Sequence, residues 1–296
     1  MEVTENDLSY GMTGFIDILG FSAKVLAAKK AKDLADLCNY INTIQDSFEF
    51  SNKNDVTTEN HKLSGKQILA FSDCLVFHVP LTSEMTEHTG EFETIMMGLV
   101  NLAFSQAWCV NENLFIRGGL DIGWWYNQEN RLISNALVTA AKREESANVP
   151  VIALCDNLYK YLEAHENRNT YSKESDPIFK MFSLYEDEKE SFYFLDYIYL
   201  CLNNMDPHPT NEEKTAYEEA SGAEKYEIYQ KIEQRTSDDW LKAHAKSIEE
   251  AANDVSDNPK LYSKYVWLAE YHNKTLEGFT SNSECVCKVP EITRKG

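Results

Sequence analysis

The stretch GFIDILGFSAKV, residues 14–25, places a single acid, Asp17, inside an apolar run that ends in Gly20-Phe21-Ser22. A carboxyl group within a buried strand costs free energy unless a partner or a ligand satisfies it. The apolar residues before the glycine predict a strand over residues 13–19, and those after the serine repeat with helical spacing as far as residue 48. The stretch therefore predicts a strand, a turn and one long amphipathic helix, with an acid beside the turn.

A second acid occupies a predicted turn further along the chain. The segment ILAFSDCLVFHVP, residues 68–80, predicts two short strands that form a hairpin around Ser72-Asp73. In a ferredoxin-like sheet the first strand and this hairpin are neighbours, so Asp17 and Asp73 are expected to lie side by side. Two close carboxylates repel each other, and a bound divalent cation relieves that repulsion. The alternative for either aspartate alone is a structural role, as a turn cap or as the partner of a buried Lys or Arg.

The order of the remaining elements predicts the fold class. We expect helices at about 91–111 and from about residue 135. We expect two short strands separated by glycines in LFIRGGLDIGWWY (residues 114–126), and one strand in PVIAL (residues 150–154). The order β–α–β–β–α–β–β–α–β indicates an α+β protein with a ferredoxin-like core, in which helices flank an antiparallel-rich sheet. A Rossmann alternation fits poorly, because hairpins interrupt it and no GxGxxG follows the first strand.

The chain changes character beyond about residue 165. The segment FYFLDYIYLCL, residues 192–202, predicts one more strand, and the charged segment from about 210 to 253 predicts helices. KLYSKYVWLAEYHNKTLEGF, residues 260–279, predicts a final helix with an aromatic stripe, and the last twenty residues are expected to be loose. We therefore expect a first domain over residues 1–205 and a helical extension over residues 206–296 that packs on it.

Composition excludes several classes of function. The 296-residue chain has a formal net charge of −20, whereas a nucleic-acid-binding surface is normally basic. No apolar run approaches 18 residues and no signal peptide is evident, so we expect a soluble cytoplasmic protein without a membrane partner. The seven dispersed cysteines are expected to be mostly buried, reduced thiols. An acidic protein that binds an anionic substrate needs metal ions or backbone N–H groups to hold it.

The two acids and the turn together indicate phosphoryl chemistry. Two metal ions bridged by paired aspartates are a common apparatus for in-line attack at phosphorus, and Mg²⁺ or Mn²⁺ suits oxygen ligands. The Gly20-Phe21-Ser22 turn, at the start of a helix, would offer backbone N–H groups to phosphate. These features predict a nucleoside triphosphate site. The remaining aspartates, Asp121 included, are expected to be turn or surface residues.

The same motifs resemble those of class III nucleotide cyclases over about residues 12–155. FIDILGFS (Phe15–Ser22) matches the family's F-x-D-I-x-G-F-[ST], and Ser72-Asp73 matches its [GS]-D hairpin. IRGGLDIG (Ile116–Gly123) and VTAAKREE (Val138–Glu145) resemble two later motifs, the second with Thr139 in place of Asn and with Arg143 at the position of the family's Arg. The resemblance implies two metal ions held by Asp17, Ile18 and Asp73, a charge-stabilising Arg143, and nucleotide contacts from Ile18, Gly20, Phe21, Ser22 and Thr139.

Two departures from the family bear on the substrate. Purine cyclases carry a Lys or Glu where this chain has Leu69, and an Asp or Cys where it has Ala136. Neither apolar side chain can recognise a purine edge. NALVTAAKRE (residues 135–144) and KYVWLAEYHN (residues 264–273) in turn resemble the pyrimidine cyclases, uridylate and cytidylate, of bacterial Pycsar anti-phage systems.

That second resemblance implies conversion of UTP or CTP into a 3′,5′-cyclic nucleotide upon phage infection. The sequence does not distinguish the two substrates, and of these we favour UTP. The product is expected to activate a separate effector. It also implies a homodimer with composite sites, the acids coming from one subunit and Arg143 from the other. For base recognition we nominate Tyr40, to stack on or hydrogen-bond a uracil edge, and Arg117, to donate to a pyrimidine carbonyl. The alternatives are a core or interface aromatic for Tyr40 and a structural ion pair for Arg117.

Other functions remain as alternatives. A purine (adenylate or guanylate) cyclase would recognise its base through other residues, and a catalytically silent cyclase-like domain would act as a nucleotide sensor. Retention of both acids argues against the sensor. A polymerase-like palm domain shares the two carboxylates, but the acidic chain lacks an evident template surface. The aromatic stripe around His272 favours helix packing, so His272 is left out of the site.

Overall fold

The computed structural model describes residues 3–49, 63–72, 74–128 and 130–290. The chain divides into two compact units. The first comprises Met1–Cys109 with Leu114–Tyr197, and the second comprises Val110–Asn113 with Ile198–Gly296. Within the described residues, no helix is both long enough and apolar enough to cross a membrane.

The first unit is built on one sheet. Its strands are β1 (Ser9–Ile18), β2 (Gln67–Phe71), β3 (Cys74–Pro80), β4 (Ile116–Gln128), β5 (Arg131–Ser134), β6 (Ile152–Leu154), β7 (Phe182–Glu186) and β8 (Ser191–Leu195). They lie in the order β2-β3-β1-β4-β6-β8-β7, with β5 paired to β4. Among the described pairs, β4 with β6 is parallel and the others are antiparallel. The order β2-β3-β1-β4 is the split βαβ arrangement of ferredoxin-like folds, so the predicted α+β class is confirmed.

Helices accompany this sheet in the described part of the first unit. They are α1 (Phe21–Ala27), α2 (Ala31–Glu49), α3 (Glu84–Thr89), α4 (Glu91–Asn111), α5 (Asn135–Ser146), α6 (Asp156–Ala164) and α7 (Pro177–Met181). The predicted bounds of α4 and the predicted start of α5 are confirmed. Ile95 and Leu99 of α4 are fully buried, as are Met12 and Ile16 of β1, and these residues belong to the core of the unit.

The prediction of one long helix after β1 is wrong, because the segment forms α1 and α2. Ala28 adopts an extended backbone with ψ of 116°, which ends α1. The side chain of Asp33 then accepts the backbone N–H groups of Lys29 and Lys30, both at 3.0 Å, and so satisfies donors at the start of α2. Local capping therefore overrides a helical periodicity that runs through the break.

The prediction of two short strands over residues 114–126 is also wrong, because β4 is a single strand of 13 residues. Its glycines serve close packing instead of a turn. A Cβ atom at Gly119 would overlap the backbone carbonyl of Ala140 on α5, and one at Gly118 would overlap Ile16 of β1. The absence of side chains at these positions lets α5 lie directly against the strand.

The second unit is helical, with α8 (Tyr197–Asn204), α9 (Asn211–Glu219), α10 (Gly222–Asp254) and α11 (Pro259–Leu276). The helices predicted over residues 210–253 and after residue 260 are confirmed. The segment FYFLDYIYLCL is only partly a strand: β8 ends at Leu195 and α8 begins two residues later. Asp196 marks the change, since its backbone N–H donates to the carbonyl of Met181 and its side chain accepts from Ser183.

The end of the second unit is more ordered than predicted. Cys285 and Cys287 are buried, although residues 277–290 contain no regular element beyond the 3₁₀ turn Ser283–Cys285. The Asn273 side chain forms two hydrogen bonds of 2.9 Å with the backbone N–H and C=O of Cys287. A loose end is therefore wrong for residues 277–290, and residues 291–296 lie outside the described part of the chain.

Candidate active site

Asp17 lies one residue before the end of β1. In register it faces Arg117 of β4 on one side and Cys74 of β3 on the other. Residues directly opposite in antiparallel strands point to the same face of a sheet. Arg117 donates from Nε and Nη2 to Oδ2 of Asp17, both at 3.1 Å. The Asp17 side chain is 18% exposed, so this acid is partly buried, reachable from solvent and held by a cation.

Arg117 has a second acidic partner on α5. Its Nε contacts Oε1 of Glu144, a buried side chain. Arg117 thus joins Asp17 and Glu144 in one ion network, which is the arrangement named above as the alternative to base recognition. A role for Arg117 toward a base stays a prediction. The network places two carboxyl groups and one guanidinium at the end of β1.

Asp73, the second predicted acid, lies outside the described residues. The residues that flank it in sequence are described. Ser72 has a positive φ of 55°, which is typical of a tight turn, and Cys74 begins β3. Strands β2 and β3 pair in register up to Phe71 and Cys74, so the predicted hairpin is confirmed. Cys74 is also the residue that pairs with Asp17.

The predicted phosphate-binding turn joins β1 to α1. Gly20 precedes the first helical residue and has φ of 75°, a conformation that favours glycine. Phe21 is buried and Ser22 is exposed. Ile18, which is also buried, ends β1 opposite Ile116. The turn therefore lies where the sequence predicts it and begins three residues after Asp17.

Tyr40 contacts this turn from α2. Its ring stacks on Phe21, with centroids 6.0 Å apart, and the ammonium of Lys24 lies 4.9 Å from the ring centroid. An apolar groove of about 420 Å³ lies between α1, α2 and the end of β2, and its lining includes Phe21, Ile41, Phe71 and Ser72. The structure thus brings Tyr40 to the predicted turn, and its role toward a base stays a prediction.

A second polar cluster surrounds Arg143 on α5. The two guanidinium nitrogens Nη2 and Nη1 lie 3.5 Å from Asp156 and 3.7 Å from Glu190, and the group sits over the ring of Phe192. Arg143 and Thr139 are one helical turn apart and so lie on the same side of α5. Both line a groove of about 390 Å³ between α5 and the start of α6.

Asp121 also lines this groove, and the expectation that it is a turn or surface residue is wrong. It lies in the middle of β4 and is 1% exposed. Its Oδ2 accepts from the Thr139 hydroxyl and, at 3.4 Å, from Asn157 Nδ2. Among the described residues its Oδ1 has no hydrogen-bond partner. The sequence signal was the one that identified Asp17, a single acid within an apolar strand.

The negative charge of Asp121 affects its neighbourhood. Burial, with a further contribution from Asp121, raises the pKa of the Cys155 thiol to about 12. Cys155 precedes α6 and lines the same groove. A raised pKa keeps a thiol protonated at neutral pH, which disfavours a nucleophilic role for Cys155.

The predicted site residues thus fall into two places on one chain. Asp17 and Arg117 lie at the end of β1, whereas Thr139 and Arg143 lie in the groove with Asp121. Thr13 of β1 is the register partner of Asp121. Since Thr13 precedes Asp17 by four residues, the two places are about 13 Å apart along the strand. Among the described residues no group of three or more His, Cys, Asp or Glu could hold a metal ion.

Comparisons with known proteins found distant similarities. No protein-family model and no curated protein matches the chain. A bacterial light-regulated adenylyl cyclase is 14% identical, with 64% of this chain and 91% of that chain covered and a TM-score of 0.38. The adenylyl cyclase CyaB from P. aeruginosa is 13% identical, with 64% and 94% covered and a TM-score of 0.36. The catalytic core of a rhodopsin-guanylyl cyclase with converted specificity, in complex with ATPalphaS, is 12% identical, with 64% and 96% covered and a TM-score of 0.38. At this level of similarity neither the family nor the activity of the chain follows from these structures.

Proposed function

We propose that this chain is a metal-dependent pyrimidine nucleotide cyclase that converts UTP, or less favourably CTP, into the 3′,5′-cyclic monophosphate and pyrophosphate. The observation that carries the proposal is the register of Asp17 with Cys74, the residue that directly follows Asp73. This register supports the paired acids that phosphoryl transfer with two metal ions requires.

Asp17 fits a divalent cation. Its carboxyl oxygens are hard donors, its side chain is partly exposed, and a positive charge already lies against it. Because Arg117 also contacts Glu144, the guanidinium keeps an anionic partner when a metal ion takes its place at Asp17. We assign Asp17, Asp73 and the backbone oxygen of Ile18 as ligands. Two Mg²⁺ or Mn²⁺ ions bound there would supply Lewis-acid charge that lowers the pKa of the ribose 3′-hydroxyl and offsets the triphosphate.

The other residues hold the substrate. Backbone N–H groups of the Gly20-Phe21-Ser22 turn bind phosphate oxygens at the start of α1. The ribose 3′-oxygen loses its proton to water and attacks the α-phosphorus, while the bond from that phosphorus to the bridging oxygen breaks and pyrophosphate leaves. Arg143 offsets the charge that develops on the phosphate, a role that suits a guanidinium whose position is set by neighbouring carboxyl groups.

We propose a homodimer with composite sites, as the sequence resemblance implies. One triphosphate then contacts the acids of one subunit and Thr139 and Arg143 of the other.

Base recognition is assigned to Tyr40, which already packs on Phe21, and to Arg117. Leu69 is half-buried and Ala136 is buried, and neither offers a hydrogen bond to a purine. By the sequence resemblance, the product would be a second messenger that activates a separate effector in anti-phage defence.

The test is to incubate the purified protein with each of the four ribonucleoside triphosphates and Mn²⁺ and to identify products by mass spectrometry. Cyclic UMP or cyclic CMP with pyrophosphate is expected. Cyclic AMP or cyclic GMP would favour the purine cyclase, and no product would favour the silent sensor.

Loss of either acid should abolish turnover without unfolding the protein. Asp17→Asn and Asp73→Asn each remove a charged metal ligand and keep the side-chain volume. Asp257→Asn, at an exposed position of the second unit, is the matched control and should retain activity. Circular dichroism checks the fold of each variant. Full activity of Asp17→Asn would contradict the two-metal assignment.

A further inference from the structure

The carboxyl group of Asp121 has one oxygen that the described protein residues leave unsatisfied. Oδ2 accepts two hydrogen bonds, from the hydroxyl of Thr139 and from the side-chain amide of Asn157. Oδ1 accepts none from the described residues, although the side chain is 1% exposed. An unsatisfied buried oxygen lowers the stability of the folded chain. Its presence in a residue that lines a groove indicates an acceptor for a ligand.

The groove around Asp121 presents charges of both signs. Lys142 and Arg143 contribute cations, and Asp121, Asp156 and Glu190 contribute carboxyl groups. A ligand that fits must therefore carry an anionic group for the cations and a hydrogen-bond donor for the Oδ1 atom of Asp121. A nucleotide has both, in its phosphate and in its sugar hydroxyls.

The spacing selects the sugar. Thr139, which holds Asp121, and Arg143 are four residues apart on α5, a rise of about 6 Å. With a phosphate at Arg143, the group that reaches Asp121 is the adjoining ribose, because the base lies beyond the sugar. Carboxyl groups are common acceptors of ribose hydroxyls in nucleotide sites.

We propose that Asp121 accepts a hydrogen bond from the ribose 2′-hydroxyl of the substrate and thereby selects ribonucleotides over 2′-deoxyribonucleotides. This inference rests on the proposed function, in which the 3′-hydroxyl is the attacking group. The 2′-hydroxyl is then the sugar donor that the reaction does not consume. Thr139 and Asn157 both donate to Oδ2 and fix it, so that Oδ1 is the oxygen presented to the sugar.

The test compares kcat/KM for UTP and for 2′-deoxy-UTP in the presence of Mn²⁺. Both compounds carry the 3′-hydroxyl and both can be cyclised. The native protein should prefer UTP by about 10-fold to 100-fold, as expected for loss of one hydrogen bond to a carboxylate. In Asp121→Ala the preference should fall close to one, and in Asp121→Asn it should fall below the native value.

Asp176→Asn is the matched control, since Asp176 is also buried but both of its oxygens have donors, Arg168 and the backbone N–H of Ile178. It should keep the native preference and lower the melting temperature. Asp121→Asn should not lower the melting temperature, because it removes a buried charge and keeps the oxygen that accepts from Thr139 and Asn157, whereas a purely structural role of the Asp121 carboxylate predicts a decrease.

The outcomes separate this inference from the function on which it rests. If the native protein makes no cyclic product from any triphosphate, both the proposed function and the inference fail. If it cyclises UTP and 2′-deoxy-UTP equally well, the function stands and the inference fails. An unchanged preference in both Asp121 variants overturns it as well. Complete loss of turnover or of folding in both Asp121 variants would also overturn the inference. A contact to a hydroxyl that does not react is required neither for turnover nor for folding.

Discussion

At the scale of single residues, Arg117 of β4 connects Asp17 at the end of β1 with Glu144 of α5. It donates to Asp17 and contacts Glu144, so its charge is shared between a solvent-reachable acid and a buried one. Under the proposed function, such a shared cation would let Asp17 exchange Arg117 for a metal ion without leaving a buried charge unpaired. Glu144 would then support the proposed site although it touches no substrate.

Replacing Glu144 should weaken metal binding. In Glu144→Gln, Arg117 loses an anionic partner and holds Asp17 more strongly against the incoming cation. We expect the Mn²⁺ concentration for half-maximal activity to rise about 10-fold or more, as for other residues that support a metal ligand. The measurement is a Mn²⁺ titration of cyclase activity.

The neighbouring exposed acid provides the control for that titration. Glu145→Gln removes the same charge from the same helix at an exposed position. Its metal requirement should stay native. An equal rise of the Mn²⁺ requirement in the two variants would show that only the total negative charge of α5 matters. That result would refute a specific role of Glu144.

At the scale of elements, α5 lies against β4 and carries both halves of the candidate site. Glu144 meets Arg117 near the start of β4, and Thr139 meets Asp121 near its middle. Gly119 permits this arrangement, because any side chain there would overlap the Ala140 carbonyl. The distance between strand and helix is therefore set by a residue without a Cβ atom.

Gly119→Ala should push α5 away from β4. We expect the first unit to lose about 1–3 kcal/mol of unfolding free energy, the usual effect of inserting a methyl group into packed structure. Urea unfolding measures the change. Gly278→Ala is the control, since its added methyl would meet its nearest neighbour at 3.6 Å, an ordinary contact. A loss in Gly119→Ala no larger than in Gly278→Ala would contradict the packing argument.

Two buried histidines explain why the end of the second unit is ordered. The Nδ1 atoms of His244 on α10 and His272 on α11 are 2.9 Å apart, and His272 Nε2 lies 2.8 Å from the carbonyl oxygen of Cys285. A carbonyl only accepts, so His272 donates from Nε2 and its Nδ1 accepts from His244. Burial lowers the pKa of both rings, which keeps them neutral and this chain of hydrogen bonds intact.

At the scale of the whole molecule, buried histidines in both units make stability depend on pH in the same direction. Burial lowers the pKa of His78 in β3 to about 4, between the hydroxyls of Ser9 and Thr13. In the unfolded chain the pKa of His78 is near the ordinary value for histidine. Unfolding therefore takes up a proton at His78 once the pH falls below that ordinary value. The stabilisation is complete above about pH 6.5 and is lost progressively as the pH falls toward 4.

Removal of the His78 ring should flatten this dependence. The full effect of His78 amounts to roughly 3 kcal/mol between neutral pH and pH 4. His78→Gln should therefore show a smaller fall in the unfolding free energy between pH 7 and pH 4.5 than the native protein, as measured by denaturant unfolding. His88→Gln, at an exposed position, should keep the native slope. If the unfolding free energy of His78→Gln fell with pH as steeply as that of the native protein, His78 would not be the origin of the pH dependence.

Features that depend on neighbours in sequence were predictable. The turn at Gly20, the hairpin around Ser72 and the bounds of α4 follow from turn chemistry and apolar periodicity over a few residues. The break between α1 and α2 was missed because the periodicity continues through it, while a single side chain, Asp33, caps the second helix. The continuous strand β4 was missed because glycines that serve packing resemble glycines that make turns.

The sequence by itself determined the strand–turn–helix unit and the acid Asp17, because each is encoded within a short window of residues. It also determined the fold class, because that follows from the order of such elements along the chain. The tertiary structure decided which residues surround Asp17 and Asp121. Asp17 and Arg117 are 100 positions apart in sequence, and only the register of β1 with β4 brings them together. The burial of Asp121 likewise arises where α5 and α6 approach the same strand. Register and packing are cooperative properties of distant segments, so no local pattern contains them.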